Sequence, residues 1–180
     1  MKDLKGTKTE KNLMEAFAGE SQARNKYTFF ASKAKKEGYV QISKIFEETA
    51  RNEKEHAELW YKALLGGSIP TTKECLIIAA AGEHYEHTKM YAKMAKVAKE
   101  EGFDGLAKQF AEVAKIEAHH EQRYLKLAKN IEQGKVFKKD TVVTWKCDNC
   151  GHIEEGKQAP LVCPACKHPQ AYQELFCENY

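Results

Sequence analysis

Residues 106–127 read LAKQFAEVAKIEAHHEQRYLKL, and this stretch decides the fold. Its apolar residues recur at steps of three and four between Leu106 and Leu127, which predicts an amphipathic helix. In the middle of the apolar stripe stand Glu117 and His120. Residues at i and i+3 lie on the same face of a helix, so the carboxylate and the imidazole are expected to reach the same point.

The same periodicity extends over most of the chain. It predicts four long helices, at roughly 9–37, 40–65, 72–101 and 104–133. A glycine follows each predicted helix, where a left-handed residue is favoured: Gly38, Gly66, Gly102 and Gly134. Strand and turn patterns begin after the last of these glycines. We therefore expect a four-helix domain at residues 1–134 and a small domain at residues 135–180.

The four predicted helices are two copies of one helix hairpin. Glu53-Lys-Glu-His56 is repeated as Glu117-Ala-His-His120, and Ala16-Phe-Ala-Gly-Glu20 is repeated as Ala79-Ala-Ala-Gly-Glu83. The offset is 63 residues for the second pair and 64 for the first. Duplicated hairpins are one way to build a four-helix bundle.

Each helix carries a glutamate near the middle of its apolar stripe: Glu20, Glu53, Glu83 and Glu117. Counted from the interhelical glycines, the glutamates of each hairpin fall within about 6 Å of one another along the helix axis. Carboxylates grouped in an apolar interior repel one another and lose hydration, so they are either protonated or held by cations. His56 and His120 add imidazoles to the set, a pattern known from ferritin-like di-iron and di-manganese bundles. Such oxygen-rich ligation suits iron or manganese better than copper or structural zinc.

One potential ligand breaks the repeat. Glu86 corresponds to Ala23 in the first hairpin, so it has no counterpart there. It is either an ordinary surface glutamate or an alternative ligand that competes with His56 for one metal as the oxidation state changes. The remaining histidines near the acids lie off the apolar stripes and are expected to be solvated or to support the ligands: His84, His87 and His119.

Four cysteines form the second motif, C-x2-C-x12-C-x2-C: Cys147, Cys150, Cys163 and Cys166. This spacing predicts a tetrahedral metal site built on two tight knuckles, and Gly151 can take the positive φ that one knuckle needs. Iron and structural zinc both use this geometry, so the metal stays open at this point. Cys75 and Cys177 lack partners in the motif and are expected to be packing residues.

Composition excludes several classes of protein. The chain has 180 residues, 42% hydrophobic and 31% charged, with a net charge of only +3. Residues 135–180 hold six lysines and six acidic residues, so no basic surface favours nucleic acid. The first residues lack the apolar run of a signal peptide, and no stretch approaches the ~20 apolar residues of a membrane span. We expect a cytoplasmic protein with no membrane or nucleic-acid partner.

Along almost its whole length the sequence resembles the rubrerythrin family. The resemblance is carried by Glu20, Glu53-x-x-His56, Glu83-x-x-Glu86, Glu117-x-x-His120 and the C-terminal cysteines. It implies a ferritin-like di-iron four-helix bundle followed by a rubredoxin-like four-cysteine iron domain. Tyr27 and Tyr91 fall where the family keeps tyrosines near the di-iron site. The sequence departs from the family at Lys167, where the second knuckle usually has glycine, and this departure is expected to strain the turn or shift the potential.

The resemblance also implies a reaction, the two-electron reduction of hydrogen peroxide to water, which protects against oxidative stress. It implies that Glu53 and Glu117 bridge two irons, that Glu20, Glu83 and His120 are terminal ligands, and that His56 and Glu86 exchange on one iron. Catalytic roles therefore fall on Glu53, Glu117, Glu86 and His56. Electrons would come through the four-cysteine iron from donors such as rubredoxin and an NAD(P)H-dependent reductase. Zinc or manganese could replace iron in these sites.

Two other functions share parts of the pattern. A ferroxidase or iron-binding protein would use the bundle, with the tail as a structural zinc ribbon, but it has little need of a thiolate-bound iron. A zinc-ribbon binding module would use the tail alone for contacts with nucleic acid or protein. Peroxide reduction is the function that uses both motifs.

The connections between helices predict an assembly of two chains. From His120 to Gly134 the fourth helix rises about 21 Å, which favours a head-to-tail homodimer for electron transfer, although a folded-back linker within one chain stays open. The second helix is about 39 Å long, whereas residues 66–71 span at most ~20 Å. Ferritin-like bundles run their second and third helices parallel, so this short connection favours a homodimer swapped between helices two and three. A plain up-down-up-down bundle is the alternative.

Overall fold

The computed structural model describes residues 3–179, and the protein is mostly helical. The helices are α1 (Lys8–Lys36), α2 (Val40–Leu64), α3 (Thr72–Tyr85), α4 (Tyr91–Glu100) and α5 (Asp104–Glu132). The strands are β1 (Lys138–Cys147), β2 (Ile153–Gln158) and β3 (Gln173–Leu175). Four long helical stretches followed by a small region of strands confirm the predicted fold class.

By its contacts the chain divides into two compact units between Pro70 and Thr71. The first unit is the hairpin of α1 and α2, and the second holds the remaining helices and the strands. The predicted division of the protein into functional domains at residue 134 is a different partition, and it stays a prediction.

In the first unit, small side chains let α1 and α2 approach closely. The buried residues of the seam between the two helices are Ala31, Ala34, Ser43, Ala50 and Ala57. The Ser43 hydroxyl donates to the carbonyl of Ala31 at 2.9 Å, so the one polar side chain in that seam is satisfied.

The larger residues of the predicted apolar stripe are only partly covered in this unit. Ile42 is 47% exposed and Trp60 is 37% exposed. We had expected these stripes to form the core. The difference has a physical reason, because two helices alone bury only a narrow seam and the wider stripes need further helices.

In the second unit α3 begins with a complete capping box. The Thr71 side chain accepts from the backbone of Glu74, and the Glu74 carboxylate accepts from the Thr71 backbone at 2.9 Å. This confirms the start predicted from the sequence. The fourth long helix, α5, instead takes Phe103 as its N-cap residue, without a side-chain hydrogen bond. Asp104 is its first helical residue, so the expected aspartate cap was wrong.

The third long helix is not one α-helix, as expected for residues 72–101. A π-helical segment, Glu86–Met90, separates α3 from α4. A π segment accommodates one residue more than the α-helix it interrupts. The internal repeat records that residue, because its offset is 63 for Glu20 and Glu83 but 64 for Tyr27 and Tyr91. The insertion therefore lies inside the π segment or at its edges.

The C-terminal strands form an antiparallel sheet in the order β2-β1-β3. Trp145 of β1 is 1% exposed, and its indole N–H donates to the carbonyl of Gly156 at 3.0 Å. Two buried cysteines, Cys147 and Cys163, lie with Trp145 in the core of this small region. A metal site in place of a large apolar core is a common solution for so few residues.

The two cysteine knuckles have the same backbone geometry. Gly151 follows the first knuckle with φ 77°, and Lys167 follows the second with φ 64°. Among residues 3–179, Lys167 is the one non-glycine residue with positive φ. The left-handed conformation costs an L-residue about 1 kcal/mol or more, which gives the departure noted in the sequence a physical meaning.

We expect Lys167→Gly to stabilise the metal-loaded C-terminal region by about 1 kcal/mol, because glycine adopts positive φ without strain. The measurement is guanidinium unfolding followed by loss of the thiolate-to-metal absorption. Lys167→Ala is the matched control, since it removes the 3.0 Å bond from Lys167 Nζ to the Pro164 carbonyl but keeps the strain. Equal stability of the glycine and alanine variants would show that the turn is not strained.

Candidate metal centres

In the first unit three predicted ligands come together. Glu20 of α1 and Glu53 and His56 of α2 offer ligand atoms that all lie within 4.8 Å of one another. His56 Nδ1 is 2.8 Å from a Glu53 carboxylate oxygen and 3.8 Å from a Glu20 oxygen. Two ligands of one octahedral ion, each about 2.1 Å from it, lie ~3 Å apart, so these distances fit a shared metal.

The second unit holds the equivalent cluster. Glu83 of α3 and Glu117 and His120 of α5 also offer ligand atoms within 4.8 Å of one another. His120 Nδ1 is 2.7 Å from a Glu117 oxygen and 3.7 Å from a Glu83 oxygen. The two triads therefore match within each unit, as the repeat predicts.

Aromatic pairs repeat together with the triads. Tyr27 lies 6.1 Å from Phe46 between ring centroids, at 31°. In the second unit, Tyr91 lies 6.1 Å from Phe110 at 33°. Each tyrosine precedes its phenylalanine by 19 residues, and each pair packs within the same unit as its triad.

The carboxylates of the second unit act on one another. Partial burial raises the pKa of Glu83 above its ordinary value, and the charges of Glu117 and Glu86 raise it further. Burial also raises the pKa of Tyr91, with Glu86 as the largest charged contributor. Glu86 is outside the triad, but its charge reaches both groups. Like charges gathered in this way favour either a proton or a cation at the site.

The four cysteines of the knuckles converge in the strand region. Cys147 Sγ lies 3.7 Å from Cys166 Sγ, and Cys150 Sγ lies 3.7 Å from Cys163 Sγ. Sulfurs at the corners of a tetrahedron with ~2.3 Å metal–sulfur bonds are ~3.8 Å apart. The donor set and its spacing therefore fit a tetrahedral metal.

Backbone groups prepare these sulfurs for a cation. The N–H of His168 lowers the pKa of Cys166 to about 5, and neighbouring thiols contribute in the same direction. At Cys150 the N–H of His152 also acts to lower the pKa, but Cys166 and the other sulfurs, together with burial, raise it to about 12. One thiolate thus forms readily while another keeps its proton until a metal supplies positive charge.

A further cluster was not recognised in the sequence. His84, His87 and Glu121 offer ligand atoms within 4.8 Å of one another. The two histidines had been expected to be solvated or to support other ligands. Their i, i+3 spacing was visible, but nothing in the sequence linked them to a glutamate more than 30 residues away.

Comparison with known proteins agrees with both kinds of site. The rubrerythrin family model matches residues 11–128, and the model of the rubrerythrin rubredoxin-like domain matches residues 145–174. The chain belongs to the rubrerythrin family. Rubrerythrin-1 of Clostridium acetobutylicum is 57% identical and rubrerythrin of Clostridium perfringens 58%, each over the full length of both chains. Rubrerythrin of Nitratidesulfovibrio vulgaris is 49% identical, again over both full lengths.

Membership in the rubrerythrin family establishes the two kinds of metal site. The glutamate–histidine clusters and the four cysteines are metal-binding sites, as their donor sets indicate. No helix among residues 3–179 is long and apolar enough to cross a membrane.

Proposed function

We propose that this rubrerythrin is a peroxidase that reduces hydrogen peroxide to water with iron in all three metal positions. The observation that carries the proposal is the presence, in one chain, of two matching Glu, Glu, His triads and a four-cysteine site. When bound, the paired irons supply two electrons and clamp both peroxide oxygens, while the thiolate-bound iron returns electrons singly. The reaction consumes two protons and two electrons and yields two waters.

The roles of the side chains follow from their positions. Glu53 and Glu117, each 2.8 Å or less from the histidine of its own triad, are proposed to bridge the metals. Glu20 and Glu83 hold the terminal positions on α1 and α3, together with His120 on α5. These carboxylates fix the spacing of the pair and balance its charge.

Glu86 is proposed as the seventh ligand, exchanging with His56 on one iron. Its charge already raises the pKa of Glu83 and of Tyr91, which supports a position beside the second triad. The π segment starts at Glu86, and π segments are frequent at functional sites. Its local backbone therefore differs from that of the equivalent Ala23.

The alternative, an iron-binding protein with a structural zinc tail, is not favoured. Such a protein has no use for a site that passes single electrons, whereas the peroxidase reaction requires one. Rubredoxin and an NAD(P)H-dependent reductase are the kinds of donor that we propose for this chain.

We expect Glu53→Ala and Glu117→Ala each to lower the rate of peroxide consumption by the reduced protein at least ~100-fold. Each change removes a ligand that no neighbouring side chain replaces. Stopped-flow mixing with hydrogen peroxide measures the rate, and the ferric-thiolate absorption should remain intact. Glu48→Ala, an exposed glutamate on α2, is the matched control and should react normally. Rapid turnover surviving either ligand change would contradict the peroxidase assignment.

Glu86→Ala is expected to leave ferrous binding nearly unchanged and to slow peroxide turnover, because the exchanging ligand serves only one oxidation state. Iron content and single-turnover rates measure the two effects separately. Glu100→Ala on α4 is the control, since this glutamate is exposed. Unchanged turnover, with unchanged ligands in a diferric crystal structure, would return Glu86 to the role of a surface residue.

We further propose that the active form is a homodimer swapped between helices two and three. Helix α2 has 25 residues and is about 38 Å long, whereas residues 65–71 extend to ~25 Å at most. The second unit also carries an apolar groove of about 600 Å³, lined in part by Met90, Val97 and Leu106. These residues belong to the predicted core stripes, so an α1–α2 hairpin of a second copy is the proposed occupant.

In the swapped form, the triad of Glu20, Glu53 and His56 from one chain would complete a site with the second triad of its partner. The same dimer could bring one chain's four-cysteine site near the other's di-iron site, as a head-to-tail arrangement requires. Within one chain α5 continues 12 residues beyond His120, a rise of about 18 Å.

Co-expression of Glu53→Ala and Glu117→Ala chains tests the swap. A swapped heterodimer has one doubly damaged site and one intact site, so peroxide turnover should reappear, at up to about half the wild-type rate per heterodimer. An unswapped heterodimer has one defect in each site and should stay inactive. Two affinity tags isolate the heterodimer, and each single variant mixed with itself is the control. Absence of activity in a purified heterodimer would refute the swap while leaving the peroxidase proposal intact.

A further inference from the structure

The cluster of His84, His87 and Glu121 has no part in the proposed reaction. His84 lies at the end of α3, His87 lies in the π segment, and Glu121 comes from α5. Three separate pieces of helix therefore bring three potential metal ligands to one place within the second unit.

The geometry centres on the carboxylate. His84 Nδ1 is 3.0 Å from Glu121 Oε1, and His87 Nε2 is 2.6 Å from Glu121 Oε2. Each carboxylate oxygen thus faces a different imidazole. The two rings are 5.3 Å apart between centroids and nearly perpendicular, at 83°. Ring nitrogens converge on Glu121 instead of stacking against each other.

The position of these residues sets them apart from the second triad. Each of the three is the next residue after a proposed di-iron ligand: Glu83, Glu86 and His120. Consecutive residues on a helix point about 100° apart, so the two sets lie on different faces of the same helices. The exposed side-chain fractions agree, at 59% for His84, 21% for His87 and 20% for Glu121.

The donor set specifies a class of ion. Two imidazoles and one carboxylate are used for zinc with an open position and for ferrous iron. Calcium and magnesium prefer all-oxygen ligands, which this cluster lacks. Because the cluster is open to water, solvent can complete the coordination and an ion can enter directly.

We propose that His84, His87 and Glu121 bind one divalent first-row transition-metal ion, in addition to the metals of the triads and the cysteines. The ion takes the place of the protons that now join the carboxylate to the imidazoles. The competing explanation is that the cluster is only a pair of histidine–glutamate hydrogen bonds, which would satisfy the same distances.

The test uses the full-length, iron-loaded protein titrated with Co²⁺, whose visible absorption reports imidazole and carboxylate ligation. One additional equivalent per chain is expected, without loss of iron. Glu121→Gln and His87→Gln should each weaken this binding at least ~10-fold. His119→Gln, an exposed histidine on the same α5, is the matched control and should bind Co²⁺ normally.

Crystals of the wild-type protein soaked in Co²⁺ give an independent measurement. An anomalous difference peak between His84, His87 and Glu121 is expected. No peak there, Co²⁺ uptake only by displacement of iron, or uptake unchanged in both Glu121→Gln and His87→Gln would overturn the proposal. Iron content and the ferric-thiolate spectrum of each variant show that it is folded. None of these readouts depends on peroxidase activity, so the site stands or falls separately from the proposed function.

Discussion

Repulsion between carboxylates on an apolar helix face is the constraint on which the rest of this structure depends. Each hairpin places two glutamates and a histidine among residues that would otherwise form a core. In the second unit the charges of Glu117 and Glu86, together with burial, already raise the pKa of Glu83. Such a face is unfavourable without a cation and favourable with one. Metal binding and burial of the apolar stripe are therefore linked, since the ion removes the charge that opposes burial.

This linkage explains how the helices are built. Alanines and Ser43 line the seam of the first hairpin, so α1 and α2 pair closely without using their larger apolar residues. Residues such as Trp60 on one hairpin and Leu106 on the other stay partly exposed, on the stripes that also carry the ligands. A second hairpin that completes the metal site would cover these stripes at the same time. The short connection at residues 65–71 then decides whether that hairpin comes from the same chain or from another.

Much of this could be predicted because the signals are local. The i, i+3 pairing of Glu53 with His56 follows from helix geometry, and the left-handed residue after each knuckle follows from the cysteine spacing. The π segment could not be predicted from periodicity, because five residues among regular helical turns carry no pattern of their own. Its trace was the change of the repeat offset from 63 to 64. Glu121 was missed for a different reason, since its partners are 34 and 37 residues away and off the apolar stripe.

The π segment also accounts for the asymmetry of a duplicated protein. The two triads agree closely, with histidine-to-glutamate distances of 2.8 and 3.8 Å in one and 2.7 and 3.7 Å in the other. What differs between the hairpins is concentrated around residues 86–90, where one extra residue is accommodated. Glu86, without a counterpart, begins this segment and points its charge toward the triad, while His87 contacts Glu121 on another face. Duplication supplied a symmetric pair of half-sites, and a single inserted residue is enough to make one half chemically different from the other.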